Sequence, residues 1–212
     1  MTVRNRTTMK IGFALIAENT FVNQIVALER EFHDKAGFSD ILGTVNNLPH
    51  TTLFQGEMRV NIDYREIAEH IASEYLKLSK TRTLRFTHVK YVPHGWYFLL
   101  CRKSKVLSAL HYQVLSKVEP YIVLPKERFE GTKDLPKAQR EAIRNYNYRY
   151  AGEAFYPHVT IGRSAVKSDT VLNEMNLALN QIELSPRVER VTVYKMGING
   201  VHETTLFEVK IV

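Results

Sequence analysis

The pentapeptides Pro49-His50-Thr51-Thr52-Leu53 and Pro157-His158-Val159-Thr160-Ile161 repeat one pattern, Pro-His-x-Thr followed by an aliphatic residue, about half a chain length apart. With only 8 His and 7 Pro in 212 residues, chance rarely places the two side by side, still less twice with Thr in the same register. Each copy opens a short run of Thr and aliphatic residues, which reads as a β-strand on propensity. Side chains alternate faces along a strand, so His50 and Thr52 share a face, as do His158 and Thr160. Thr51 then points the other way and reads as structural. Two such strands facing each other across a groove bring two imidazoles and two hydroxyls around one substrate.

Those four groups are the parts that cleavage of a phosphodiester needs. One base deprotonates the attacking water, one acid protonates the leaving oxygen, and donors stabilise the phosphoryl oxygens. With an unperturbed pKa of about 6.5, one imidazole can be free near neutral pH while the other is protonated. Either histidine can take either role on sequence grounds. The scheme calls for no metal and no cofactor. Neither motif has a carboxylate or second His at ligand spacing, and there is no Cys pair and no His-Glu-x-x-His. A serine nucleophile would want a Gly-x-Ser-x-Gly elbow, which is missing, and Cys101 closes an apolar run from Trp96 that reads as a core strand.

Around the motifs, strands alternate with helices. Lys10 to Ala17 reads as a strand, and Asn19 or Thr20 as the cap of a helix carrying Val22, Ile25, Val26 and Leu28 towards Lys35. Asp63 can cap a second helix to Leu78, with Ile67, Ile71 and Tyr75 on one face. Thr81 to Val92 and Trp96 to Arg102 read as strands joined at Pro93-His94-Gly95, with a helix from Lys105 to Val118 beyond. Pro120, Pro125, Gly131 and Pro136 mark an irregular loop, followed by a helix from Lys137 to Tyr148. The second motif strand runs from Tyr156 to Arg163, Asp169 can cap a helix to Ile182, and two strands close the chain around Gly197 to Gly200. The pattern predicts an α+β fold of two pseudo-symmetric lobes, each an antiparallel sheet with outer helices, flanking a central groove. Residues 9 to 212 are expected to form one bilobal domain behind a flexible tail at 1–8.

On the two His-x-Thr strands the chain resembles the two-histidine (2H) phosphoesterase superfamily, and within it the branch of bacterial 2′-5′ RNA ligase and RNA 2′,3′-cyclic phosphodiesterase. Lys10-Ile11-Gly12-Phe13-Ala14-Leu15 resembles that family's opening strand, and Val188 to Val212 its closing strands. The resemblance implies His50, Thr52, His158 and Thr160 as the catalytic set, and a terminal 2′,3′-cyclic phosphate of RNA or an oligonucleotide as the substrate. It leaves as alternatives a 2′,5′-oligonucleotide or cyclic nucleotide phosphodiesterase with reverse ligation, and a non-catalytic RNA-binding module. The stretch Glu119 to Gly152 is longer than a minimal member of the family would have, and is expected as a substrate-specific lid.

Other residues divide between substrate contact and packing. Tyr156 shares the His158 face, and Phe13, Trp96 and Tyr194 lie on strands expected to border the groove, so each is a candidate to stack a base or to fill the core. Phe54 is placed on the His50 face. Arg163 could hold a phosphate if a bulge returns it to the His158 face. Lys137, Arg140 and Arg144 fall at helical spacing, with Tyr148 extending the stripe and Arg149 beside it, as a solvated face or a basic lid. His94, His33, His70, His88, His111 and His202 read as turn, surface or structural residues.

A net charge of +7 and a pI near 9.4 favour an anionic partner, here RNA. No apolar run approaches the roughly 18 to 20 residues of a membrane span, so no membrane partner is expected. A single Cys fits a reducing cytoplasm. A monomer is expected.

Overall fold

The computed structural model describes residues 7–124 and 134–211. Its elements divide into two copies of one β-α-β-α-β series. The first comprises β1 (Thr8–Ala17), α1 (Asn19–Ala36), β2 (Thr51–Arg59), α2 (Tyr64–Leu78) and β3 (Phe86–Val92). The second comprises β4 (Trp96–Cys101), α3 (Lys105–Val118), β5 (His158–Arg163), α5 (Asp169–Ala178) and β6 (Val188–Met196). The second copy carries an insertion with α4 (Lys137–Tyr146), and β7 (His202–Lys210) is added at the end.

The two copies exchange their third strands. One sheet has the order β2-β1-β6-β7 and the other β3-β4-β5, with every pairing antiparallel. The helices follow the exchange. Helix α2 packs on β6 and β7 and α3 on β2, whereas α1 and α5 pack together against β5 and β3. Side chains of both sheets, among them Phe13, Leu15, Leu53, Tyr97, Leu99 and Val159, join one buried cluster. The expected α+β, two-lobed architecture is thus observed, with a swap that the strand pattern alone did not predict.

Several expected boundaries move for local reasons. Helix α1 starts behind Glu18, which makes no side-chain cap bond, so neither Asn19 nor Thr20 caps it. The Asp63 cap forms as expected, accepting from the Glu66 N–H at 3.0 Å. Ser168, rather than Asp169, caps α5 by accepting from the Val171 N–H at 3.3 Å. The strand expected from Thr81 begins only at Phe86, because Arg82 takes a positive φ of 55° and the chain there bonds to the segment at Leu184–Arg187. Helix α4 stops at Asn147 in the left-handed region, short of Tyr148. Thr8, expected in the tail, already belongs to β1. Residues 1–6 of that tail and 125–133 of the expected lid lie outside the described residues. Cys101 is buried as expected, and burial pushes its thiol up to about 12.

Each motif strand carries a bulge just beyond its Thr. Phe13 pairs with Phe54 and Ala14 with Thr52, leaving Leu53 as the extra residue. Tyr97 pairs with Gly162 and Phe98 with Thr160, leaving Ile161 in the same position of the second strand. An extra residue shifts the alternation of faces by one, so the fifth residue after each His, and not the fourth, returns to the histidine side.

His111 ties these regions together. Its Nδ1 bonds the carbonyl of the bulged Leu53 at 2.6 Å, its Nε2 accepts from the Gly152 N–H at 2.8 Å, and its ring stacks on Phe155. The Gly152 donor requires a lone pair on Nε2, so the ring is neutral with its proton on Nδ1. A His111→Phe substitution keeps the ring stack and strands two buried backbone groups, each worth about 1–3 kcal/mol when unpaired. Urea denaturation near pH 7 is expected to show a loss of roughly 2–5 kcal/mol, and a loss below about 1 kcal/mol would remove His111 from this role.

Candidate active site

The same backbone device sets both motif histidines. Pro49 and Pro157 lack an N–H and restrict the residue before them to extended conformations. The carbonyls of those preceding residues, Leu48 and Tyr156, each meet the Nδ1 of the following histidine at 2.6 Å, in His50 and His158 respectively. A carbonyl only accepts, so Nδ1 carries the proton in each ring and Nε2 is the nitrogen left for other partners.

His50, Thr52, His158 and Thr160 all line one cavity of about 380 Å³ between the sheets. The four residues singled out by the two motifs are thus brought to one cavity. The lining also includes Gln55, Trp96, Phe98, Arg149 and Tyr150, with Asn47 and Asn199 from two connecting segments. Gln55 stands where the first bulge puts it, and Phe54, expected there, is fully buried beneath.

The neighbours of the two rings differ. On the first sheet, the positions beside the motif strand are small: Gly12 pairs with Gln55 and Ala14 with Thr52. A Cβ at Gly12 would sit 2.1 Å from the Tyr194 ring. Tyr194 reaches across that gap, and its hydroxyl lies 3.1 Å from the Nε2 of His50 and 3.2 Å from Oε1 of Gln55. On the second sheet the matching positions are aromatic, with Trp96 opposite Arg163 and Phe98 opposite Thr160. Phe98 stacks on His158 at 3.6 Å between ring centres, and Tyr150 meets the same ring edge-on at 5.4 Å.

Burial dominates the electrostatics. Desolvation pushes the His50 and His158 imidazoles down to about 4, overriding the opposing effect of their Nδ1 bonds to carbonyls. At His50, the neighbouring His202 and His158 rings add to the fall. The expectation of one protonated imidazole at neutral pH is corrected for the unliganded protein, in which both rings are neutral.

Trp96 lines the cavity, half-buried. Tyr156 is half-buried beside Tyr150 and His158, outside the lining, and acts through its carbonyl. Phe13 is fully buried in the core, so it is not positioned to stack a base; strand alternation around Gly12 turns it inward. Tyr194 is likewise buried and touches His50 instead of bordering open groove. The bulge does return Arg163 to the rim, where its guanidinium bonds Asn199 Oδ1 at 3.2 Å and lies over Trp96. Lys137 pairs with Glu141 at 3.8 Å on the exposed helix face. Gln55, Phe98 and Tyr150 were missed as cavity residues, and Arg149 was named only beside a stripe read as a solvated face or a basic lid. The bulge hid Gln55, and the other three depend on contacts with no periodic signal.

No protein-family model and no curated protein sequence matches the chain. Solved structures do. The chain is similar to E. coli LigT complexed with 3′-AMP, with a TM-score of 0.53 and 15% identity over 97% of this chain and 99% of that one. The LigT structure complexed with phosphate gives a TM-score of 0.51 and 14% identity, covering 97% and 98%, and that complexed with ATP gives 0.51 and 16%, covering 97% and 99%. The chain thus has the LigT fold along almost its whole length, in agreement with the resemblance drawn from the two motifs. Among the described residues no helix is long and apolar enough to cross a membrane.

The burial of these rings makes a prediction independent of turnover. Unfolded histidines titrate near 6.5, whereas His50, His111 and His158 titrate at about 4 in the folded chain. Above pH 6.5 both states are neutral; between 6.5 and 4 the unfolded chain takes up protons that the folded chain refuses, so stability falls on acidification. His111 and His158 are each expected to cost on the order of 3 kcal/mol across that window. Denaturation at stepped pH and imidazole NMR titration check this, and folded-state midpoints near 6.5 would overturn it.

Proposed function

We propose that this chain is a metal-independent two-histidine phosphodiesterase that opens 2′,3′-cyclic phosphate ends of RNA or oligonucleotides. One observation carries the reading. The same Nδ1–H to carbonyl bond orients both imidazoles at one cavity, beside two Thr hydroxyls, and leaves Nε2 of each for proton transfer. The fold it shares with LigT, a protein crystallised with 3′-AMP and with phosphate, supports a phosphorylated nucleotide as the ligand.

The neighbours of each ring favour one division of labour. At His50, Tyr194 can donate to a neutral Nε2 or, by donating to Gln55 instead, accept from a protonated one. That switch accommodates an acid. At His158, Phe98 stacks on the ring face and Tyr150 meets it edge-on, and no side chain among the described residues bonds its Nε2, which leaves that nitrogen to a water and suits a base. His158 Nε2 takes a proton from water as its oxygen bonds to phosphorus. The bond from phosphorus to one ribose oxygen breaks, and that oxygen leaves with the proton from His50 Nε2. Thr52 and Thr160 donate to non-bridging oxygens. Proton exchange with solvent resets the two rings.

His50→Ala and His158→Ala are each expected to lower turnover of an RNA 2′,3′-cyclic phosphate about 10²- to 10⁴-fold, with the unmodified chain fully active in EDTA. Product analysis with a 2′,5′-oligoadenylate alongside tests the substrate class. Cleavage of the second alone would move the assignment to 2′,5′ linkages, and cleavage of neither would overturn the hydrolase reading.

The pH profile follows from the lowered pKa values. The profile of kcat/KM reports the free protein, so its limbs are expected below pH 6.5. A bound phosphodiester anion favours the imidazolium, so the kcat profile shifts to higher pH. Coincident limbs near 6.5 in both profiles would contradict this account.

A further inference from the structure

We infer that Arg149, presented by the insertion between α3 and β5, is the residue that binds the charged non-bridging oxygens of the substrate phosphate, a role that rests on the phosphodiesterase reading above. The first repeat has no counterpart of this insertion, so nothing in the duplicated motifs points to it. Three observations converge on the residue.

The first is position. Helix α4 ends at Asn147, whose φ of 54° turns the chain towards the cavity. Tyr148 packs edge-on against Phe54 of β2, while Tyr150 packs edge-on against Phe98 of β4 and His158 of β5. The residue between them is therefore anchored on one side to the first motif strand and on the other to the second. It lines the same cavity as both histidines.

The second is charge. Arg149 is the only Lys or Arg among the described residues lining the cavity, where Asp40 is the only carboxylate. The Thr hydroxyls are neutral donors, and burial keeps both imidazoles uncharged in the unliganded protein. A phosphodiester entering this cavity therefore finds one fixed positive charge, and a guanidinium is suited to two phosphoryl oxygens at once.

The third is availability. No carboxylate lies within ion-pair distance of Arg149 among the described residues; its guanidinium lies near the Tyr148 phenol and hydrogen-bonds that of Tyr150, a neutral partner that an anion can displace or share. At Tyr150 the guanidinium works against the rise that burial gives the phenol. Arg163, the cation that the motif itself suggests, is occupied at the rim by Asn199, the His94 carbonyl and the Trp96 ring.

The test compares Arg149→Met, Arg149→Lys and the exposed charge control Lys137→Met in two assays: binding of inorganic phosphate, followed by the His50 and His158 imidazole NMR signals, and turnover of RNA 2′,3′-cyclic phosphate. Arg149→Met is expected to weaken phosphate binding at least about 10-fold and to lower kcat/KM about 10²- to 10³-fold. Arg149→Lys should restore part of both, and Lys137→Met should change neither by more than about 2-fold, the size expected of a screened surface charge. Intact His111 signals report that each variant is folded. Equal phosphate binding and turnover in Arg149→Met and the unmodified chain would overturn the assignment while leaving the diesterase reading in place. Arg149-dependent phosphate binding without cleavage of any diester would support the anion site and reject the diesterase reading instead.

Discussion

The site depends on one short hydrogen bond used twice, from the Nδ1–H of a histidine to the carbonyl two residues back, across a proline. The proline gives that bond its geometry. It fixes its own φ, biases the preceding residue towards extended backbone, and offers no N–H of its own. The ring folds back on a carbonyl whose direction is already set, and the tautomer follows. Without that bond, a buried imidazole could turn about χ2 and exchange Nδ1 for Nε2. The Pro-His-x-Thr pattern thus reads as a device for aiming Nε2, with Thr two residues on because that is the next position on the same face.

The swap of β3 and β6 between sheets explains how two such devices are kept in register with each other. Each sheet contains strands of both repeats, and each repeat's first helix packs against the other repeat's motif strand, α1 on β5 and α3 on β2. A displacement of one repeat against the other would therefore disturb β pairing and helix packing in both sheets. His111 adds a polar link of the same kind, from α3 to the bulge in β2 and to the turn that leads into β5. The cavity lies between two sheets, neither of which belongs to one repeat.

What the sequence revealed of this arrangement follows the physics of each signal. The motif histidines and threonines were legible because period-two alternation holds from the first to the third residue of each strand. One residue further it fails, and the failure is the bulge at Leu53 and at Ile161. Phe54 was therefore placed on the His50 face, between core and groove, where Gln55 stands instead, while the bulge on which a role for Arg163 was made to depend is present. Helix spans were legible from their apolar faces, but α1 starts behind Glu18 with no side-chain cap at all, and the cap of α5 turned on a single hydrogen bond to Ser168 that its neighbour could equally have made. The protonation state was not legible at all. It arises from burial, which depends on every element around the cavity.

The difference between the two histidines is set by the residues beside the motif strands, and it runs against the symmetry of the repeat. Gly12 and Ala14 occupy the positions that Trp96 and Phe98 fill in the second copy. Small residues open a path over the first sheet, and Tyr194 uses it to bring a hydroxyl to His50. Large rings close the same path over the second sheet and lay an apolar face on His158. A duplicated strand gives two equivalent bases. Acid and base chemistry at one pH needs two environments that bias proton affinity differently. The two environments differ here: the Tyr194 hydroxyl, bonded on to Gln55, lies at the Nε2 of His50, whereas the rings of Phe98 and Tyr150 lie against His158. Filling the Gly12 gap would displace that hydroxyl from His50 without touching either motif, while the Phe98 and Tyr150 rings at His158 stay in place.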